Sequence, residues 1–262
     1  MTLALFFGKH IFKKNRRSMG NKIFRLQSLK KLSAVLFILL QFNCSQGQNH
    51  FEEFYLNRDY YVRQLDEIEK EFGQNKIIPA ELEIECLVAL SFYPELKDVT
   101  IEFKYGYLKS TMTSKPTVSS IFKRKDKRKY IILIQKPDAL KTSLQISELS
   151  FNSIVGWIGH ELGHILHYSH KTGIGMIFTG IKYAFPQYHK KMERFTDEIT
   201  IQHNLGFALY EGSDYALNHS HITLRYKMRL QKFYLQPSEI IERIYSRNRT
   251  IIHFHKTKVT TI

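Results

Sequence analysis

The 262-residue chain is long enough for one domain with a substantial core, together with a leader and a tail. Its hydrophobic content of 43% is typical of a water-soluble globular protein, whereas its net charge of +15 at first suggests a nucleic-acid or anionic-membrane partner. Residues 1–50, however, hold nine Lys and Arg and no acidic residue, which leaves 39 − 9 = 30 basic and 24 acidic residues in the remainder. Most of the excess charge therefore belongs to the N-terminus, and we expect no nucleic-acid partner.

Residues 1–47 are predicted to form an export leader. A basic segment ends at Lys30-Lys31, an apolar run follows at 32–42, and small and polar residues come next. This run of 11 residues is too short to span a membrane comfortably. Met19 is an alternative start, because residues 19–48 alone have the proportions of a signal peptide. Cleavage near Gly47 would give a periplasmic or secreted protein.

Two cysteines bear on this localisation. Cys44 follows the apolar run directly, so a lipoprotein attached to a membrane through Cys44 is a second interpretation, and an uncleaved anchor is a third. Cleavage at Gly47 would leave Cys86 as the only cysteine, which excludes an intrachain disulfide. We expect Cys86 to be a buried small hydrophobic residue in a helix.

The next part of the chain is predicted to contain two helices and then three β-segments. The helices cover 51–72 and 80–92, the second with a proline near its start, and strands are predicted at 99–105 and 130–135 from their apolar patterns. The β-prone segment 110–121 contains Pro116, which is typical of an edge strand. The edge that it offers, at 110–118, could accept an extended peptide or be an ordinary hairpin arm. The basic run 123–129 lacks interleaved aromatic residues, so we expect a solvated turn there.

The most informative stretch begins at Ser150, a predicted N-cap, and contains His160-Glu161-Leu162-Gly163-His164. Apolar residues recur at helical spacing through it, which predicts a helix with one buried face. His160 and His164 then lie one turn apart on the same side, so that both imidazoles can bind one metal ion. Glu161 lies further round the helix and can meet a water on that ion as a general base.

A second predicted helix, at 190–205, supplies further candidates. Glu193 and Asp197 are four residues apart and share a face. Glu193 would be the third metal ligand and leave the fourth position to water, and Asp197 would accept the free N–H of a liganding histidine. Gly206 is predicted to end this helix.

These residues resemble a known family. His-Glu-Leu-Gly-His followed by Glu-x-x-x-Asp resembles the gluzincin metallopeptidases, especially the group of the HtpX-type heat-shock protease and the CAAX prenyl endopeptidases. The interval from His164 to Glu193 indicates a compact version, and Thr196 stands where those families usually have alanine. The resemblance implies an α+β, zincin-like fold, in which a small, mostly antiparallel sheet packs on the His160 helix and a mainly helical part follows.

The group also carries a later segment with a fixed His-to-Arg spacing, which His219 and Arg225 reproduce without its proline and isoleucine. This spacing makes His219 the first candidate for stabilising a developing oxyanion, and Tyr210 and Tyr215 are weaker ones. Helices are predicted at 222–233 and 237–244. The glycine-interrupted apolar segment 169–190 is open to interpretation as a loop, a short helix or a lid, and if exposed it could contact a membrane surface or an apolar substrate.

The sequence thus predicts a single domain at 48–246 and a basic tail at 247–262. The predicted function is a zinc-dependent peptidase with one Zn²⁺ per chain, bound by His160, His164 and Glu193, which hydrolyses peptide or protein substrates with Glu161 as the base. The alternative is a non-catalytic zinc-containing envelope protein that binds peptides or partner proteins. Metals other than zinc remain open, although two imidazoles and one carboxylate with an open position suit zinc.

Overall fold

The computed structural model describes residues 55–108, 110–136 and 144–247. The predicted leader, with Met19, Cys44 and Gly47, and the tail beyond residue 247 lie outside these residues. The predictions of export and lipidation therefore stay predictions. In the described part of the chain, no helix combines the length and the apolar character that crossing a membrane requires.

Three short helices lie in the first part of the described chain. The helix predicted at 51–72 is two helices, α1 (Arg58–Val62) and α2 (Leu65–Phe72), because a turn at residues 63–64 separates them. The helix predicted at 80–92 is confirmed as α3 (Glu83–Ser91), although its first three residues form a 3₁₀ turn after Pro79. Cys86 lies in α3 and is fully buried, as expected for a small hydrophobic residue.

The sheet has four strands in the order β1-β2-β4-β3, namely β1 (Lys76–Ile77), β2 (Thr100–Gly106), β3 (Met112–Pro116) and β4 (Lys129–Gln135). The pairs β1–β2 and β2–β4 are parallel, and only β3–β4 is antiparallel. The prediction of a mostly antiparallel sheet is therefore wrong, and the sheet is mixed. The cause is that β4 lies between β2 and β3 and runs in the direction of β2, which the alternation of apolar residues along each strand does not reveal.

β3 is an edge strand of the described sheet, as the segment 110–121 predicts. It is also the arm of a hairpin with β4, and strand addition by a peptide at this edge stays a prediction. Pro116, which has no N–H to donate, is its last residue. One side of β3 is thus left without a strand partner among the described residues.

The second half of the domain is helical, which confirms an α+β fold with a mainly helical C-terminal part. Its elements are α4 (Phe151–Ser169), α5 (Gly173–Lys182), α6 (Pro186–Gln202), α7 (Gly206–Asn218), α8 (Leu224–Phe233) and α9 (237–247). Ser150 caps α4 by accepting the N–H of Ser153, and Ile154, Ile158, Leu162 and Ile165 of α4 are buried in the core with the sheet residues. Each of these features of α4 is predicted by the sequence.

Gly206 does not end α6. The helix ends at Gln202 with His203 as its C-cap, and Asn204 adopts the left-handed conformation (φ 63°) that a helix end often requires. Gly206 instead begins α7, where a Cβ would lie 2.7 Å from a side-chain carbon of Ile244. The glycine is therefore needed for close packing rather than for the turn.

Glycines also let α6 and α7 approach α4 closely. A Cβ on Gly156 would lie 2.3 Å from the carbonyl carbon of Ala208 in α7, and one on Gly163 would lie 3.0 Å from Cγ2 of Thr196 in α6. Because neither glycine has a Cβ, the helices can come this close. The approach at Gly163 places side chains of α6 beside the histidines of α4.

Candidate metal centre

The two histidines of α4 face the same side of the helix. His160 and His164 are both buried, and their ring centroids are 4.8 Å apart with the rings almost perpendicular at 84°. The Nε2 atoms of both rings point toward α6. The four-residue spacing thus presents two imidazole nitrogens to one place, as predicted.

Glu193 of α6 meets both nitrogens. Its Oε2 lies 3.1 Å from Nε2 of His160 and 3.3 Å from Nε2 of His164, and its side chain is also buried. The possible ligand atoms of the three residues all lie within 4.8 Å of one another, and no other such group of three occurs in the described ranges. Three residues predicted from separate motifs therefore form one cluster that could hold a metal ion.

Glu161 lies beside this cluster but is not part of it. Its side chain is buried, and its Oε2 has no hydrogen-bond partner among the described residues. A buried carboxylate oxygen without a partner is costly, so it calls for an explanation in the function of the site. A water or a substrate group in the adjoining pocket would satisfy it.

Asp197 orients His160. Its Oδ1 accepts the Nδ1–H of His160 over 2.8 Å, while its Oδ2 accepts the backbone N–H of Leu235 over 2.8 Å. The Nδ1 bond holds the ring so that Nε2 is directed at the cluster, where a metal ion would replace the Nε2 proton. This is the role that the spacing of Glu193 and Asp197 predicts.

Thr196 does the same for His164, which the sequence does not predict. The hydroxyl of Thr196 donates to the carbonyl of Met192 over 2.9 Å, so its oxygen is free to accept the Nδ1–H of His164 over 3.1 Å. Thr196, which stands where the gluzincin families usually have alanine, thus has a defined contact with His164. Its position beside Asp197 is the one signal that could have identified it.

His189 is a further contact of the cluster that sequence reasoning leaves unassigned. Its Nε2 lies 2.9 Å from Oε1 of Glu193, the oxygen that the other two histidines do not use, and its ring stacks on Phe233 at 4.3 Å. His189 and Glu193 are four residues apart on α6. This spacing is the signal that could have identified the pair.

The charged groups of the cluster shift one another's pKa values. Burial alone would lower the pKa of His160, but hydrogen bonds to Asp197 and Glu193 outweigh it and raise this pKa well above its ordinary value. Burial alone would raise the pKa of Glu193, but the three neighbouring histidines hold it well below the usual range. Glu193 is therefore an anion, and a metal ion that binds here displaces a proton.

The contacts of His219 lie away from His160, His164 and Glu193. It follows the last residue of α7, with its Nδ1 2.8 Å from Nδ1 of His221 and its ring 4.3 Å from that of Tyr215. His221 in turn pairs with Glu148, which precedes α4. The structure thus places His219 in a cluster near the start of α4, with no contact to the metal-ligand residues.

A pocket of about 540 Å³, including its part open to solvent, adjoins the cluster. Its polar edge contains His160, Glu161 and Asp197, and the start of β3 with the preceding residues 110–111 forms another side. The remaining lining is largely apolar and comes from α4, α7, α8 and the chain that follows: Trp157, Leu209, Ser213, Tyr226, Leu230, Tyr234, Leu235 and Ile240. Sequence reasoning does not predict that Tyr226 and Tyr234 lie here.

Comparison of the chain with protein-family models, with curated proteins and with solved structures finds no match. The resemblance described above therefore depends on five side chains and their spacing. The function of the site has to be inferred from the contacts of those side chains.

Proposed function

We propose that this protein is a zinc-dependent peptidase of the gluzincin type, with a zincin-like domain. The observation that carries the proposal is the unpaired, buried Oε2 of Glu161, which lines the pocket beside three residues that could hold a metal ion. A base that faces both a water and a substrate needs an oxygen free of protein partners. Neither a core histidine pair nor a structural ion pair would account for it.

The ligand set and its spacing support zinc. Two imidazoles and one carboxylate, with a fourth position open, are typical of catalytic zinc sites. With bonds of about 2.0–2.1 Å in a tetrahedron, neighbouring ligand atoms lie about 3.3 Å apart. In the structure, Oε2 of Glu193 lies 3.1 and 3.3 Å from the two histidine nitrogens as a hydrogen-bond acceptor, and the possible ligand atoms all lie within 4.8 Å of one another, which is close enough to bind one ion. We infer one zinc ion per chain at His160, His164 and Glu193.

The protein residues then have distinct roles. A zinc ion bound there would supply Lewis acidity and lower the pKa of a water molecule toward neutrality. Glu161 would accept the proton of that water as the water oxygen adds to the peptide carbonyl, and would return the proton to the amine as the C–N bond breaks. Asp197 and Thr196 keep the rings of His160 and His164 in the tautomer that binds a metal through Nε2.

Tyr234 is a better-placed candidate than His219 for the oxyanion donor. Tyr234 lines the pocket, its ring lies 5.5 Å from that of His160, and the whole residue is half-buried. Desolvation raises its pKa well above the ordinary value. A neutral phenol in a largely apolar pocket is a strong hydrogen-bond donor to developing negative charge. The contacts of His219 lie with Tyr215 and His221 instead.

The substrate that this pocket favours is an extended peptide with a bulky apolar residue. Apolar and aromatic side chains surround the pocket next to Glu161, and the first residue of the edge strand β3 reaches it. Strand addition along β3 would align the peptide backbone, while the pocket would accept one side chain. Such a substrate agrees with the exported, periplasmic or secreted location that the leader predicts.

A non-catalytic, zinc-containing envelope protein that binds peptides is the second candidate. The edge strand and the apolar pocket would serve it equally well. It differs from a peptidase in having no use for the free oxygen of Glu161. The two candidates are therefore separated by substitution of this residue.

The test is elemental analysis of the purified protein, followed by assay against a library of quenched fluorogenic peptides. Wild type is compared with Glu193→Ala, Glu161→Gln and His170→Ala, the last being a matched control because His170 is exposed at the end of α4. We expect one zinc per chain in wild type, Glu161→Gln and His170→Ala, and far less in Glu193→Ala. We expect cleavage only by wild type and His170→Ala.

Other results would contradict the proposal in different ways. Wild type without zinc, or Glu193→Ala with full zinc, would refute the ligand set. Zinc in wild type together with equal peptide binding and no cleavage by wild type and Glu161→Gln would leave the binding protein as the function.

A further inference from the structure

The helix between the two ligand helices presents its apolar face outward. Ile174, Phe178 and Ile181 of α5 are 69%, 58% and 57% exposed, and they lie within about 60° of one another around the helix axis. The buried residues of α5, Met176 and Thr179, lie on the opposite side. An ordinary surface helix has the reverse arrangement, with polar residues facing water.

Two more exposed apolar side chains lie beside the start of α5. Val118 and Phe122, in the 3₁₀ turn after β3, are 78% and 82% exposed. This turn packs against α5, because a Cβ on Gly173 would lie 2.0 Å from the carbonyl oxygen of Ile121. We call the whole surface the apolar patch, and it consists of Val118, Phe122, Ile174, Ile177, Phe178 and Ile181.

Basic residues border the apolar patch. The turn at 123–127 holds four basic residues and one acidic residue, all exposed, and two contacts fix it to the start of α5. Nζ of Lys125 donates to the carbonyl of His170 over 2.8 Å, and Nη1 of Arg128 donates to that of Lys171 over 2.6 Å. Lys182, also exposed, lies at the other end of α5. We call Lys123, Arg124, Lys125, Lys127 and Lys182 the basic rim.

We propose that the apolar patch and the basic rim dock this protein on the surface of an anionic lipid bilayer. A helix that lies in a membrane interface needs large apolar side chains on one face and cationic groups beside them. α5 has ten residues, which is enough to lie in the interface and too few to span the bilayer. A protein–protein interface of comparable apolar character would be depleted in lysine, whereas lysine predominates in this rim.

The docking surface is close to the metal centre. Tyr183, at the end of α5, has its Oη 3.4 Å from Nδ1 of His164, and its ring contacts that of His189 at a centroid distance of 5.3 Å. Docking through α5 therefore brings the cluster to the membrane surface. The inference does not depend on the proposed peptidase activity, because it requires only the exposed side chains.

Co-sedimentation with lipid vesicles tests the proposal. The full chain is compared with the double variant Ile174→Ser/Phe178→Ser and with the matched control Leu224→Ser/Met228→Ser, whose residues are 72% and 59% exposed on α8. Vesicles of phosphatidylcholine with phosphatidylglycerol are used beside vesicles of phosphatidylcholine alone. All three proteins share the same N-terminal segment, so its contribution cancels in the comparison.

We expect wild type and the control to bind the anionic vesicles. Both should bind neutral vesicles less, and both should bind the anionic vesicles less at high salt. The Ile174→Ser/Phe178→Ser variant should have a partition coefficient lower by on the order of a hundredfold, because two large apolar side chains no longer leave water. Equal binding by this variant and the control, or no binding by wild type, would overturn the proposal. Circular dichroism of each variant establishes that it is folded.

A second measurement does not rely on loss of binding. Trp157 is the only tryptophan, so Phe178→Trp adds one probe on the apolar patch and Leu224→Trp adds one on α8. Brominated lipids should quench the added fluorescence of Phe178→Trp and leave that of Leu224→Trp unchanged. Equal quenching of both would overturn the proposal. So would a dimer that dissociates on Ile174→Ser/Phe178→Ser substitution while vesicle binding is unchanged, since a second copy would then cover the apolar patch.

Discussion

At the scale of single residues, the geometry of the candidate metal centre depends on side chains outside the group His160, His164 and Glu193. Thr196 and Asp197 are adjacent on α6, and each orients one histidine through its Nδ1. Loss of a contact of this kind typically lowers metal affinity about 10- to 100-fold, because the contact sets the orientation and the basicity of the ligand. The neighbouring hydroxyl of Thr200 bonds the carbonyl of Thr196 and contacts no histidine, so it offers a matched control.

The first prediction concerns Thr196. Thr196→Val keeps the shape of a buried side chain and removes the nearer acceptor of His164, which leaves only Tyr183 Oη at 3.4 Å, so we expect zinc affinity to fall by about 10- to 100-fold. Competition with a chromophoric chelator measures this, with Thr200→Val expected to bind zinc within about a factor of three of wild type. Equal losses in both variants would mean that the hydroxyl of Thr196 acts only through helix packing.

The second prediction separates two candidates for the oxyanion donor. Tyr234→Phe removes one hydroxyl from the pocket, and we expect kcat to fall by about 10²-fold with zinc content unchanged, since the donor acts on developing charge. His219→Ala, which alters a residue in contact with Tyr215 and His221, should leave kcat unchanged. Steady-state kinetics on one cleaved peptide measures both, and the reverse result would restore the role predicted for His219.

The sequence predicts much of this centre and misses the rest for physical reasons. His160, Glu161 and His164 follow from spacing on one helix, and Glu193 with Asp197 from spacing on another. Thr196 and His189 are missed because a hydroxyl and a histidine are common on helices without any such role. His219 is placed in the site by resemblance alone, and its contacts lie elsewhere.

At the scale of elements, the helix contacts are set by small residues more than by large ones. α4 and α7 come together at Gly156, where backbone atoms of Ala208 occupy the position of a Cβ. α5, by contrast, contains Gly180, where a Cβ would meet no other atom within 4 Å. The two glycines thus provide a matched pair, each within a helix and each with a different environment.

The third prediction uses this pair. Gly156→Ala should lower the free energy of unfolding by about 1–3 kcal/mol, because the new methyl group meets backbone that cannot rotate away. Gly180→Ala should raise it by about 0.5–1 kcal/mol, because alanine loses less entropy in a helix. Urea unfolding followed by circular dichroism measures both. A neutral Gly156→Ala would mean that α7 moves freely relative to α4.

The pairing of the strands and the end of α6 are not predicted by the periodicity of the sequence. The alternation in β2 correctly places its buried residues Ile101 and Phe103, and the continuous apolar run of β4 predicts a buried strand, in which Ile132 and Ile134 are buried. Neither pattern says which strand lies beside which, so the parallel pairing of β2 with β4 is not predicted. The end of α6 is misplaced for a related reason, because Asn204 adopts the left-handed conformation usually assigned to a nearby glycine.

At the scale of the whole molecule, the last helix is tied to the helix that carries Glu193. Glu239, near the start of α9, accepts the backbone N–H of Gln236 over 2.9 Å and pairs with Arg194 of α6, whose Nη1 lies 3.0 Å from its Oε2. The hydrogen bond from Arg194 lowers the pKa of Glu239 to about 2. This pair therefore contributes to the stability of the helical half in a way that depends on pH.

The fourth prediction follows from the sign of that shift. A folded-state pKa below the unfolded value stabilises the protein fully above about pH 4.5, and the contribution disappears as the pH falls toward about 2. Since the side chain of Glu239 is 32% exposed, solvent reduces the contribution to about 1–2 kcal/mol. The difference in unfolding free energy between wild type and Glu239→Gln should be constant above about pH 5 and shrink below about pH 4. A difference that does not vary with pH would contradict the role of the ion pair.

The close approach at Gly156 and Gly163 has a consequence for recognising related chains. A search for this site by its ligands alone would accept any sequence with the two histidines and the glutamate at the right intervals. Yet an α6 helix that could not approach α4 at Gly163 would hold the glutamate away from the histidines, and α7 could not pack on α4 without Gly156. We therefore expect true relatives to carry glycine at Gly156, and glycine or at most alanine at the more open Gly163. In a chain with the ligands but a bulky residue at either place, the ligand pattern would be fortuitous.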